Sequence, residues 1–84
     1  MVSIDPTPNP NALKFTVGTP VGGPSTFVAG RETDDPMATA LLALPGVSSI
    51  FMTADFVTIS KTPDGDWTEI VEPARDILSE HFPE

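Results

Sequence analysis

The chain has 84 residues, room for one small domain. It contains no cysteine, which excludes disulfide staples, thiolate nucleophiles, zinc-finger spacings and iron–sulfur ligation by Cys. Four Lys/Arg against twelve Asp/Glu give a net charge of −8, which repels phosphate backbones and anionic lipid and argues against nucleic-acid and membrane-surface roles.

The start, "MVSIDPTP", has no basic n-region and no apolar h-region, and the longest apolar run is five residues, Ala40 to Leu44. Neither a signal peptide nor a membrane span is expected, and the protein is expected in the cytoplasm. Val2 to Ile4 reads as a short strand entering Pro6, Pro8 and Pro10. Each residue before a proline (Asp5, Thr7, Asn9) is pushed out of the helical region, so the stretch is predicted to stay extended. Prolines at alternate positions then remove the donors from one edge. Two readings follow: an edge protected against further pairing, with a turn through Asn9-Pro10-Asn11, or a preorganised surface for a partner.

In "ALKFTV", Leu13, Phe15 and Val17 alternate with Lys14 and Thr16, the pattern of a half-buried strand. "GTPVGGPST" (18–26) is predicted as a loop; it lacks both the Gly-Lys-Ser/Thr ending of a phosphate-binding loop and any basic residue. Phe27 to Ala29 is long enough for a further short strand. In "DDPMATALLALPG", Asp35 is the N-cap, Pro36 the first helical residue, and Pro45-Gly46 the stop, with Met37, Ala40, Leu41 and Leu44 at helical spacing as core. Val47–Met52 and Phe56–Lys61 are predicted to pair as a hairpin, followed by a turn at Thr62-Pro63-Asp64-Gly65.

The last helix opens on Asp66, with Glu69 completing a capping box. Trp67, Ile70, Val71, Ala74, Ile77 and Leu78 make one apolar face. Pro73 inside it predicts a kink and a lost backbone hydrogen bond. The opposite face carries Glu69, Glu72, Asp76 and Glu80, two pairs of which are like charges four apart, with only Arg75 nearby. A basic patch on a partner would offset that repulsion, so Glu72 and Asp76 are candidate contact residues; a plain solvated face is the alternative. The order β, β, (β), α, β, β, α gives an α+β two-layer sandwich, a small mostly antiparallel or mixed sheet with both helices on one face.

The residues that carry chemistry are sparse. His81, the sole histidine, falls toward the apolar side of the last helix and is expected as a satisfied boundary residue. No serine or threonine has a recognisable base and orienting acid. "PDGDWTE" gathers Asp64, Asp66 and Glu69 but lacks calcium-loop spacing, and a turn plus a cap explains all three. No catalytic residue, metal ligand or cofactor is expected. An enzyme or a metal carrier using Asp, Glu and His81 is the least favoured class.

"TPNPNALKF" (7–15) resembles the opening motif of the N-terminal domain of Nfu/NifU-like iron–sulfur scaffold proteins. "DPMATALLALPGVSSIF", "ADFVTISK" and "DWTEIVEP" resemble that family's following segments, in the same order. The resemblance covers nearly the whole chain as a single domain. In typical members a second domain carries the Cys-x-x-Cys pair that holds a bridging cluster, and cluster assembly through that motif does not transfer to a chain without cysteine. What the resemblance implies is a non-catalytic protein-binding module that contacts iron–sulfur assembly proteins, apo-client proteins or a separate cysteine-bearing scaffold. An interaction or structural domain no longer tied to cluster biogenesis is the alternative. Of the positions matching the signature, Phe15 and Phe56 are expected in the core, and Asn9, Pro10, Asn11, Lys14, Asp55 and Lys61 at the contact surface. Asp35-Pro36-Met37 stands where Ser-Pro-Leu is usual, a tolerated capping and core substitution.

Overall fold

A computed structural model describes residues 2–21, 24–30 and 33–82. The elements are β1 (Ser3–Pro6), β2 (Ala12–Thr16), β3 (Ser25–Val28), α1 (Pro36–Leu42), β4 (Val47–Thr53), β5 (Phe56–Lys61) and α2 (Trp67–His81). They form one five-stranded sheet in the order β1-β2-β5-β4-β3, antiparallel throughout, so β5 is central and β1 and β3 are the edges. Among the described residues, no helix is long and apolar enough to cross a membrane.

Alternation along each strand decides which side chains meet the helices. The register sets Ile4 beside Phe15, Phe15 beside Val57, and Ile59 between Leu13 and Ile50. This apolar face joins Met37, Ala38 and Leu41 of α1 and Ile70, Ala74 and Leu78 of α2 in a single core. Both helices therefore lie on the same side of the sheet, as the α+β reading requires.

The caps follow the sequence. The Asp35 carboxylate accepts from the N–H groups of Met37 (2.9 Å) and Ala38 (3.1 Å), with Pro36 as first helical residue. Asp66 caps α2, but its Oδ1 accepts from the Thr68 N–H at 2.9 Å and the Thr68 hydroxyl at 2.7 Å rather than from the Glu69 N–H. A short hydroxyl-bearing side chain at the second position takes the place of the expected box. The α2 helix runs continuously through Pro73.

Three expectations are corrected. The extended stretch stops at Pro6, and residues 7–11 turn back as the β1–β2 hairpin loop, because the Thr7 and Asn9 side chains bond to backbone within that loop. Phe56 is not in the core: Val57 and Ile59 are fully buried, so the period of two sends Phe56 to the opposite, helix-free face. His81 is exposed, since the buried stripe Ile70–Ala74–Leu78 continues four residues on to Phe82, which packs against the core. In addition, β3 begins at Ser25, two residues earlier than the predicted strand.

Candidate functional site

The most elaborated polar structure is the β1–β2 loop and its seat. Within the loop, the Asn9 N–H donates to the Thr7 hydroxyl at 3.1 Å, and the Asn11 N–H donates to Asn9 Oδ1 at 2.9 Å. The Thr7 hydroxyl lies 2.9 Å from the Asn9 carbonyl and 3.0 Å from that of Ala12, and the Ala12 N–H returns to the Asn9 carbonyl at 3.0 Å. Short polar side chains thus close the turn that the prolines stiffen.

The loop is then fastened to the end of β5 and the start of α2. Lys61 donates its backbone N–H to the Asn11 carbonyl (2.7 Å) and its Nζ to Asn11 Oδ1 (3.0 Å) and the Thr62 carbonyl (3.3 Å). The Trp67 indole N–H donates to the Pro10 carbonyl at 3.2 Å, and Lys61 Nζ stands 5.9 Å from the Trp67 ring centroid. Trp67 is half-buried and packs against the core, so the loop rests on a rigid base. Pro8, Asn9 and Pro10 remain exposed on top of it.

Asn9, Pro10, Asn11 and Lys61 are therefore brought together, with Asn11 and Lys61 holding the loop and Asn9 and Pro10 presented to solvent. The other candidates lie apart. Lys14 is on the helix-free sheet face with Nζ 4.5 Å over the Phe56 ring. Asp55 is exposed at the β4–β5 turn, where its carbonyl accepts from the Val17 N–H at 2.8 Å; it sits at the far end of β5, about 20 Å from Lys61 at strand rise. Glu72 and Asp76 are exposed on the outer side of α2. Sequence reasoning missed Trp67 as part of this arrangement. Its signal was available, because an indole N–H at the edge of a core needs an acceptor and usually finds one.

The Asn11–Lys61 pair gives a sharp expectation. In a double-mutant cycle with Asn11→Ala and Lys61→Met, the pair should show a coupling of about 1 kcal/mol, the range for a partly exposed hydrogen bond to a charged group. Urea denaturation of the four proteins measures it. A coupling indistinguishable from zero would mean that the side-chain bond does not hold the loop.

A cleft of about 400 Å³ lies between the two helix–strand connections, with Asp64, Asp66 and Glu69 on its lining. Hydrogen bonding from Thr62 holds the Asp64 carboxyl below its ordinary 3.8, and bonding from Thr68 does the same for Asp66. Lowered carboxyl values favour the folded state above the ordinary range, and that preference fades as pH falls through the lowered values. Among the described residues, no three His, Asp or Glu side chains come together in a way that could hold a metal ion. Of these carboxylates, Asp64 serves a turn and Asp66 a cap.

The chain matches the family described as Scaffold protein Nfu/NifU N terminal over residues 2–84. It is 37% identical to a NifU-like protein of Schizosaccharomyces pombe over 81 residues, covering 90% of this chain and 31% of that protein. With NifU-like protein 5, mitochondrial, of Arabidopsis thaliana it shares 40% identity over 70 residues, 80% of this chain and 25% of that one. The chain thus spans less than a third of the length of these relatives. The fold matches the crystal structure of a Staphylococcus aureus protein with a TM-score of 0.77 at 26% identity, covering 92% of this chain and 96% of that one. Together with the "TPNPNALKF" loop and its seat, these likenesses show that the chain belongs to the Nfu/NifU N-terminal family.

Proposed function

We propose that the domain is a non-catalytic protein-binding module of iron–sulfur cluster assembly or delivery, which contacts assembly proteins or apo-client proteins. The observation that carries this reading is the loop: five residues closed by their own side chains, seated on Lys61 and Trp67, with Pro8, Asn9 and Pro10 exposed. A loop already ordered loses little conformational freedom on binding, so its contacts go into affinity rather than into ordering. The family supplies the class of partner: an assembly protein, an apo-client or a separate cysteine-bearing scaffold. The acidic outer face of α2, with Glu72 and Asp76, would add long-range attraction for a basic partner.

The test is binding of the domain to a purified cysteine-bearing Nfu-type scaffold and to apo-forms of iron–sulfur proteins, measured by calorimetry. Asn9→Asp keeps the Oδ1 that closes the turn but replaces the exposed amide, and is expected to weaken binding about tenfold with folding unchanged. The pair Glu72→Gln/Asp76→Asn should slow association and reduce its salt dependence. If none of these proteins binds, or Asn9→Asp binds as wild type does, the loop is structural only and the proposal fails.

A further inference from the structure

The two helices cover one face of the sheet; among the described residues no helix covers the other, where Ala12 alone of the strand positions is buried. That open face carries Ser3 and Asp5 of β1, Ala12, Lys14 and Thr16 of β2, Phe56, Thr58 and Ser60 of β5, Ser49, Phe51 and Thr53 of β4, and Thr26 and Val28 of β3, by the alternation that fixes the core. Its composition differs from that of the molecule. The chain has twelve acidic residues, yet only Asp5 is on these strand positions, matched by one cation, Lys14. Among the described residues, Val28 (44% exposed) and Phe51 (39% exposed) are the large apolar side chains most open to solvent, and both are here. With Phe56 they make a diagonal apolar stripe across β3, β4 and β5.

The register adds a symmetry. β5 is the middle strand, with β2 and β4 on either side. Thr58 of β5 stands between Lys14 of β2 and Phe51 of β4 in a single row across the sheet. Rotation by a half-turn about an axis along β5 lays one copy of the face on another and exchanges the two flanks of that row. The Lys14 ammonium of each copy then meets the Phe51 ring of the other, Thr58 meets Thr58, and the Phe56 rings meet near the axis. A cation and an aromatic ring are an attractive pair, and Lys14 already uses the ring of Phe56 in this way within its own chain.

We propose that the open sheet face is a self-association surface, on which two copies of this chain pack face to face about a two-fold axis along β5, with reciprocal Lys14–Phe51 contacts. Sheets packed in this manner lie about 10 Å apart with strands nearly aligned. The acidic stripe of α2 lies on the far side of each copy, beyond a whole layer of the sandwich and so farther from the contact than the Debye length of about 8 Å at physiological salt. Strand spacing and rise give a face of about 400 Å² per copy, about 800 Å² for the pair and below the roughly 1,200–2,000 Å² of stable interfaces, so the dimer is weak and reversible. This surface is separate from the β1–β2 loop, and the proposal is independent of which partner that loop binds.

Sedimentation equilibrium of the whole chain from about 10 μM to 1 mM tests it, the range in which a contact of that size associates. Wild type is expected to show a monomer–dimer equilibrium. Phe51→Lys, which sets cation against cation across the axis, should weaken it at least about tenfold, and adding Lys14→Phe in the same chain should restore it by exchanging the two roles. Should the double variant not fold, Thr58→Lys is read instead: placed against its own copy, it should abolish the dimer. A monomer throughout the range, association unaffected by Phe51→Lys, as pairing through the free edge of β3 would give, or no rescue in a folded double variant, would each overturn the proposal.

Discussion

Replacing Gly46 with alanine is expected to destabilise the domain by about 2–4 kcal/mol, combining left-handed backbone strain with overpacking against main chain. Gly46 has φ 86°, and a Cβ added there would stand 3.0 Å from the Cα of Gly65. Two connections cross at this point: Pro45-Gly46 links α1 to β4, and Thr62–Asp66 links β5 to α2. The Thr62 N–H donates to the Gly46 carbonyl at 2.8 Å, so neither backbone can retreat without breaking that bond. For a domain of this size the loss amounts to about 10 °C or more in Tm. Gly30 is the control, since it has φ 87° but nothing within 4 Å of the added Cβ. Gly30→Ala should show the backbone strain alone, about 1–2 kcal/mol. If thermal unfolding places the two variants together, the crossing yields easily and the contact with Gly65 is not rigid.

The positions of the elements could be read from the sequence because their ends are marked by residues with local consequences. Pro36 after Asp35 starts α1 and Asp66 starts α2, signals that act within a turn of chain, whereas α1 ends at Leu42 with Ala43 as its C-cap, three residues before the Pro45-Gly46 stop that the sequence offers. The seat of the loop could not be read in the same way. Asn11 meets Lys61 fifty residues on, and Pro10 meets Trp67 fifty-seven residues on, contacts that exist only once β2 has paired with β5. Phe56 shows a different failure. Its neighbours Val57 and Ile59 claim the core by alternation, and that parity places Phe56 outside, yet an aromatic residue within a familiar strand motif invites a core assignment. The proline stretch is legible only in part for a related reason: prolines forbid helix, but Thr7 and Asn9, through their side chains, decide where the extended chain turns.

The second large effect separates the two faces of the sheet. Phe15→Ala is expected to cost about 3–5 kcal/mol, the range for removing a buried phenylalanine and leaving a cavity. Phe15 is fully buried on β2, with Ile4 and Val57 as cross-strand neighbours. An 84-residue domain has a total stability of only about 4–13 kcal/mol, so this variant stands at the margin of folding. Phe51→Ala removes the same group from the open face, where the side chain is 39% exposed and no helix covers it. It should cost about 1 kcal/mol or less, as a substitution away from the packed core does. Urea denaturation of both variants at low protein concentration makes the comparison, because dilution removes any contribution from association. Equal losses would mean that the open face supports the fold as the core does, and Phe51 would then need no second copy to explain it. Unequal losses leave a large exposed ring that contributes little to the monomer, the condition under which its place opposite Lys14 across the central strand becomes a matter of binding rather than of folding.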